Sequence, residues 1–107
     1  MGPEAFRKLA LSLPGAEEHE HMEHPDFRAD GHIFATMGYP NEKWAMVKLT
    51  PEQQAELVKK EPEVFEPVKG KWGLKGATHV RLRAAESESV KKALEMAREN
   101  LKEKKKR

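Results

Sequence analysis

The stretch IFATMGYPNEKWAMVKLTPEQ, residues 33–53, predicts two strands, the turn between them and the start of a helix. Three apolar side chains at alternate positions are expected to share one strand face: Ile33, Ala35 and Met37. Residues 38–43 supply glycine, proline and asparagine, which are typical of turns, and residues 44–49 resume a strand pattern. The sequence therefore predicts a β-hairpin with a six-residue connection.

A helix start follows the hairpin directly. Thr50 is suited to an N-cap, Pro51 to the first helical position, and Gln53 lies three residues after the cap, where a capping box requires it. Pro62 limits the other end of this helix, because proline disrupts a helix interior. We predict a short second helix that ends before Pro62.

The chain on either side of this region predicts two longer helices. Apolar residues recur at helical spacing from Pro3 to Leu13, where Pro14 and Gly15 interrupt the pattern. The closing helix shows the same spacing at Val90, Ala93, Leu94, Ala97 and Leu101. We expect Leu94 and Ala97 to be buried against the sheet, and residues from about 102 to 107 to form a frayed basic tail.

The segment from residue 62 to residue 83 combines glycines with bases. Gly70, Gly73 and Gly76 alternate with lysines around Trp72, which predicts an exposed loop or wing. From residue 78 strict alternation returns, with Thr78, Val80 and Leu82 on the expected core face and His79, Arg81 and Arg83 facing outward. The order helix, strands, helix, strand, helix predicts an α+β domain whose antiparallel sheet is covered on one face by helices.

Composition limits the class of protein. The 107 residues are expected to form one domain, and the absence of cysteine excludes disulfides and thiolate chemistry. The first fifteen residues contain no apolar run suited to a signal peptide or membrane span, so we expect a cytoplasmic monomer without a membrane association. The net charge of +2 conceals an asymmetry: residues 1–30 hold seven acids and three bases, whereas residues 69–83 hold five bases and no acid.

The stretch EEHEHMEH, residues 17–24, raises the question of a metal site. On a strand, His19 and His21 would share a face with Glu17 and Glu23. Protein metal sites, however, usually recruit ligands from separate elements, and this spacing matches no closed ligand set. We interpret the stretch as a solvated edge and expect no physiological metal or cofactor.

No catalytic motif is present in the sequence. There is no phosphate-binding glycine loop, no GxSxG nucleophile turn and no HExxH. No histidine is spaced so as to pair with a nucleophile. We therefore expect the protein not to be an enzyme.

Several segments resemble a known family. The order FRKLALSLPGAEE, HPDFR, IFATM, WAMVKLTPEQQAEL and WGLKGATHVRL resembles the MmcQ/YjbR family of small bacterial proteins over nearly the whole chain. The most specific pieces are Leu13-Pro14-Gly15, His24-Pro25 with Phe27, and Trp72-Gly73 with Gly76-Ala77-Thr78. The resemblance implies a fold similar to the frataxin/CyaY type and DNA binding through two β-hairpin wings. The acidic first helix that frataxin-type proteins use for iron is missing, since helix one carries only Glu4.

The basic residues make DNA, bound with weak or no sequence specificity, the leading partner. Lysine and arginine can bind phosphates, and an exposed aromatic ring can stack on a base. The predicted contact residues are Lys43, Lys48, Lys69, Lys71, Trp72, Lys75, His79, Arg81 and Arg83, with Tyr39 and Asn41 at the tip of the first hairpin. Packing of Trp72 in the core is an equal alternative, and Trp44 is expected in the core. The alternative function is docking of an acidic protein on the same basic face, without catalysis.

Overall fold

The computed structural model describes residues 1–21, 23–39 and 41–105, and it confirms the predicted α+β class. The elements in chain order are α1 (Pro3–Leu11), β1 (Glu17–His21), β2 (His24–Ala29), β3 (His32–Met37), β4 (Trp44–Lys48), α2 (Pro51–Lys60), β5 (Phe65–Pro67), α3 (Lys71–Leu74), β6 (Ala77–Arg81), a 3₁₀ turn (Leu82–Ala84) and α4 (Ser87–Lys105). None of the described helices is both long enough and apolar enough to span a membrane.

The sheet has six antiparallel strands in the order β1-β2-β3-β4-β6-β5. Helix α4 packs against α1 and crosses β3 and β4, so the core lies between these helices and one sheet face. Phe6 from α1 and Phe27 from β2 meet edge to face within this core, with ring centroids 6.0 Å apart. Leu94 and Ala97 are buried, which confirms their predicted packing.

The predicted hairpin is present with its six-residue connection between β3 and β4. Its strand faces differ from the prediction in one respect. The pairing of β2 with β3 shifts between Phe27 and Arg28, so that both Phe34 and Ala35 are buried. Ile33 consequently faces away from the core, whereas alternation alone placed it with Ala35.

The predicted capping box begins α2. The backbone N–H of Gln53 donates to the Thr50 hydroxyl at 3.2 Å, and the Thr50 N–H donates to the Gln53 side chain at 2.9 Å. The helix ends at Lys60, ahead of Pro62, as expected. At the other end of the chain, α4 continues to Lys105, beyond the point where the sequence predicts fraying; residues 106–107 lie outside the described part.

The glycine-rich segment is largely exposed, as predicted, but it is not a loop, because residues Lys71–Leu74 form the helical turn α3. Gly73 and Gly76 allow close backbone approach there. A Cβ on Gly73 would lie 1.6 Å from the Val68 carbonyl oxygen, and one on Gly76 would lie 1.9 Å from that of Leu49. The side chain of Gln54 further fixes the segment by donating to the carbonyls of Gly73 and Ala77 at 3.1 and 2.8 Å.

Candidate nucleic-acid interface

The sheet face opposite α4, here called the open face, is defined by alternate residues of the two central strands. Strand β4 contributes Trp44, Met46 and Lys48, and β6 contributes Ala77, His79 and Arg81. Their intervening neighbours, such as Val47 and Val80, are fully buried on the core side. Strand pairing extends the open face through Thr36 on β3 and Asp26 on β2, which lie in one row with Met46 and His79.

A cleft of about 530 Å³ crosses the open face. Met46 and His79 form part of its floor, Tyr39 and His24 line one end, and Trp72 lines the other with Lys48 beside it. The His24 and Tyr39 rings meet edge to face with centroids 5.9 Å apart, which orients the Tyr39 ring. Tyr39 and Trp72 are 62% and 63% exposed, so both aromatic ends of the cleft are open to solvent.

Trp72 is therefore exposed rather than part of the core. The turn of α3 presents its ring toward β4, and the Lys48 Nζ lies 5.7 Å from the ring centroid. The Nζ of Lys75, one residue past the end of α3, lies 5.9 Å from the same centroid. At these distances a cation is attracted by the negative face of the indole ring. An aromatic ring flanked by two ammonium groups thus stands at the edge of the cleft.

Trp44 lies on the open face and is half-buried, which corrects its predicted place in the core. Its ring meets that of His79 at 5.3 Å between centroids, and the Arg81 guanidinium lies 5.0 Å from the Trp44 centroid. Burial lowers the pKa of His79, Glu66 on β5 and the Ala45 backbone oppose the shift, and nearby Arg81 adds to it. The uncharged imidazole is favoured, and its buried Nδ1 has no hydrogen-bond partner within the described structure.

Arg81 projects from the open face, as predicted, and is ion-paired there. Its guanidinium donates to the Glu66 carboxylate at 2.8 Å and to the carbonyls of Pro62 and Glu63 at 3.3 and 3.2 Å. These bonds engage both terminal nitrogens with chain segments that precede α3. The contact of Arg81 with phosphate stays a prediction.

A partly buried ion pair at the cleft was not predicted from the sequence. Asp26 is 1% exposed, and Arg28 donates to its two carboxylate oxygens at 2.8 and 3.1 Å. These hydrogen bonds raise the pKa of Arg28. The signal was present in the sequence, because two opposite charges two residues apart project from the same face of a strand.

Comparison with known proteins agrees with this architecture. A family model described as YjbR matches residues 11–100, which include the whole sheet and most of α4. The chain belongs to the YjbR family. No curated protein matches this YjbR-family chain.

One solved structure shares its fold. The crystal structure of a Deinococcus radiodurans protein with a DUF419 domain superposes with a TM-score of 0.69 at 19% identity, covering 85% of this chain and 71% of the other. Identity at this level supports the fold and nothing more specific. The similarity to frataxin that the family resemblance implies stays a prediction.

The predicted contact residues of this YjbR-family chain fall into two groups. Lys48, Trp72 and His79 line the cleft, and Lys69, Lys71 and Lys75 lie exposed around α3. Lys48, Lys69, Lys71 and Lys75 are hereafter the basic corner. Lys43 and Arg83 are exposed at the far end of β4 and β6, where the Leu82 N–H donates to the Lys43 carbonyl at 3.0 Å. Strand β4 spans about 13 Å from Trp44 to Lys48 and separates this far end from the basic corner.

The acidic stretch lies at the opposite sheet edge. Strand β1 carries Glu17 and His19 in register with Arg28 and Asp26, whereas Glu23 lies in the following turn with a positive φ of 68°. Within the described residues, no three histidine or carboxylate side chains are arranged to hold a metal ion. Met22 and the side chain of His21 lie outside that description, so the interpretation of this stretch as incidental stays a prediction.

Proposed function

We propose that the protein binds DNA through the open face, with the basic corner on phosphates and Trp72 stacked on a base. The observation that carries this proposal is the exposed Trp72 ring with two lysine ammonium groups within 6 Å of its centroid. Phosphate binding and base stacking require these two groups side by side, because base and phosphate belong to the same nucleotide. The role is binding without catalysis.

The proposed DNA-contact surface differs from the two β-hairpin wings that the family resemblance implies. Helix α3 is a fixed turn whose glycines approach the backbone of Val68 and Leu49, so its side chains are held against the sheet. Arg81 is neutralised by Glu66, and Lys43 and Arg83 lie away from the basic corner. The phosphate contacts are therefore assigned to Lys48, Lys69, Lys71 and Lys75, with His79 on the cleft floor.

Fluorescence anisotropy with labelled DNA at two salt concentrations tests the proposal. Each phosphate contact releases condensed counterion, so binding should weaken steeply as salt rises. The double variant Lys71→Glu/Lys75→Glu should weaken binding and flatten the salt slope by about two units.

The matched control is Lys91→Glu/Lys92→Glu, which reverses two exposed lysines on α4, across the molecule from the open face. It makes the same change in net charge and should retain the wild-type slope. Equal effects of the two variants, or no DNA binding even at low salt, would refute the proposal. Docking of an acidic protein would then be the better explanation of the basic corner.

A further inference from the structure

We infer that the cleft holds an unpaired base and that single-stranded DNA is the preferred form over duplex. This inference rests on the proposed function and specifies its ligand. Three features carry it: the lining of the cleft, the distribution of charge around it, and the fixed position of α3.

The lining of the cleft suits a planar ring. Apolar side chains of Ile33, Met46 and Val68 contribute to it, and the aromatic rings of Tyr39 and Trp72 stand at its ends. A volume of about 530 Å³ lies within the range of about 300–1,000 Å³ that is typical of small-ligand sites, which is ample for a nucleobase. Bases paired in a duplex keep their faces covered by neighbouring bases, whereas an unpaired base offers its face for stacking.

Polar groups in the cleft are few and lie where a base edge would meet them. The Thr36 hydroxyl, the imidazoles of His24 and His79 and the Asp26 carboxylate, which Arg28 pairs, belong to the cleft wall and floor. Because burial disfavours the charged form of His79, the imidazole contributes a hydrogen-bonding edge rather than a phosphate ligand.

The charge around the cleft fits a short strand better than a rigid duplex. Positive charge is concentrated in the basic corner, at the Trp72 end. On the opposite side of the cleft, the open face carries the Asp26 carboxylate and, at the β1 edge, the exposed Glu17; Glu18 and Glu20 alternate onto the helix side, where Glu18 pairs with Arg7. A duplex laid across the sheet would bring phosphates toward Asp26 and Glu17, where like charges repel. A single strand can bind its phosphates at the basic corner and turn one base inward.

The fixed position of α3 argues against insertion into a duplex groove. Gln54 bonds to the Gly73 and Ala77 carbonyls, and the backbone contact at Gly73 leaves no room for even a methyl group. Trp72 is thus presented from a rigid turn at the edge of a concave surface. A base that covers its ring displaces one flanking ammonium group, which can then bind the adjacent phosphate.

The test compares three labelled oligonucleotides of equal length: a single strand, the same sequence as a duplex, and the single strand with its bases removed at central abasic sites. We expect the single strand to bind at least tenfold more tightly than the duplex, and the abasic strand to lose most of that advantage. Binding should also quench tryptophan fluorescence in the wild type but not in Trp72→Phe, which retains Trp44 as its remaining tryptophan.

Two variants separate stacking from folding. Trp72→Ala should weaken single-strand binding by about 5- to 150-fold, the range expected for loss of one stacked base. Its exposure of 63% means that the thermal melt should change little. The matched control is Leu74→Ala, which removes an apolar side chain that is 81% exposed in the same helical turn and should leave binding unchanged.

The outcomes distinguish this inference from the proposed DNA binding on which it rests. Equal affinity for duplex and single strand, or undiminished binding of the abasic strand, would overturn the inference and leave DNA binding intact. Tighter binding of single-stranded RNA than of DNA would overturn the choice of DNA. No binding of any oligonucleotide at low salt would overturn both.

Discussion

Replacing Gly73 by alanine should destabilise the protein and displace the proposed binding surface together. The added Cβ would lie 1.6 Å from the Val68 carbonyl oxygen, about half the separation of about 3.5 Å at which non-bonded atoms attract. The Val68 oxygen belongs to the backbone and the position of a Cβ is fixed by its own backbone, so no side-chain rotation can relieve the overlap. Helix α3 must move away from the segment that leads into it from β5.

The expected magnitude has two parts. Overpacking a tight site typically costs about 1–3 kcal/mol. Moving α3 also stretches the hydrogen bond from Gln54 to the Gly73 carbonyl, which adds about 1 kcal/mol. We therefore expect Gly73→Ala to lower the free energy of unfolding by about 2–4 kcal/mol.

Urea unfolding followed by circular dichroism measures this loss, and the DNA titration measures the displacement of Trp72. The matched control is Gly2→Ala, because a Cβ on Gly2 meets no atom within 4 Å and its φ is negative. A loss below about 1 kcal/mol for Gly73→Ala would mean that α3 is not held as described. Unchanged DNA affinity in a clearly destabilised variant would mean that α3 is not part of the DNA-binding surface.

Two further predictions concern the two sheet faces. On the core face, Leu94→Ala should cost about 2–5 kcal/mol in the same urea experiment, because Leu94 is fully buried against the sheet; a cost below about 1 kcal/mol would contradict that packing. On the open face, the lowered pKa of His79 means that the unfolded chain takes up a proton more readily than the folded protein. The contribution of uncharged His79 to the free energy of unfolding should therefore be fully present above about pH 6.5 and should decline as the pH falls below it. His79→Gln should flatten this decline, whereas substitution of the exposed His32 by glutamine should not. Equal pH profiles for the wild type and both variants would show that His79 does not cause the decline.

Helices α1, α2 and α4 and the central hairpin were predictable because their signals are local. The Thr50 and Gln53 capping box and the hairpin turn require only neighbouring residues, and α4 repeats its apolar spacing over many positions. Strands β1, β2 and β5 gave no such signal. Strand β1 is Glu-Glu-His-Glu-His, without one apolar residue, β2 contains Pro25 and a buried charge, and β5 is only three residues long.

The candidate site was predictable in its chemistry but not in its arrangement. Lys71, Trp72 and Lys75 are close in sequence, so their proximity follows from local spacing. The state of Arg81 depends on Glu66, which lies on a strand that the sequence did not predict. The exposure of Trp44 depends on which face of β4 meets the helices. Alternation does not specify that face here, because Trp44 lies on one side of the strand and the apolar residues Ala45 and Val47 lie on the other.

The two halves of the open face have different physical roles. Near Trp44 the large side chains cover one another: His79 and Arg81 pack on the indole, and Glu66 neutralises the guanidinium. That half packs its large side chains against one another and stabilises the uncovered sheet face in place of a helix. Near Trp72 the cleft leaves aromatic and apolar surface exposed beside like-charged ammonium groups, an arrangement that adds little to folding and is favourable when a base and its phosphate fill it. Substitutions in the first half should therefore change stability first, and substitutions in the second half should change binding first.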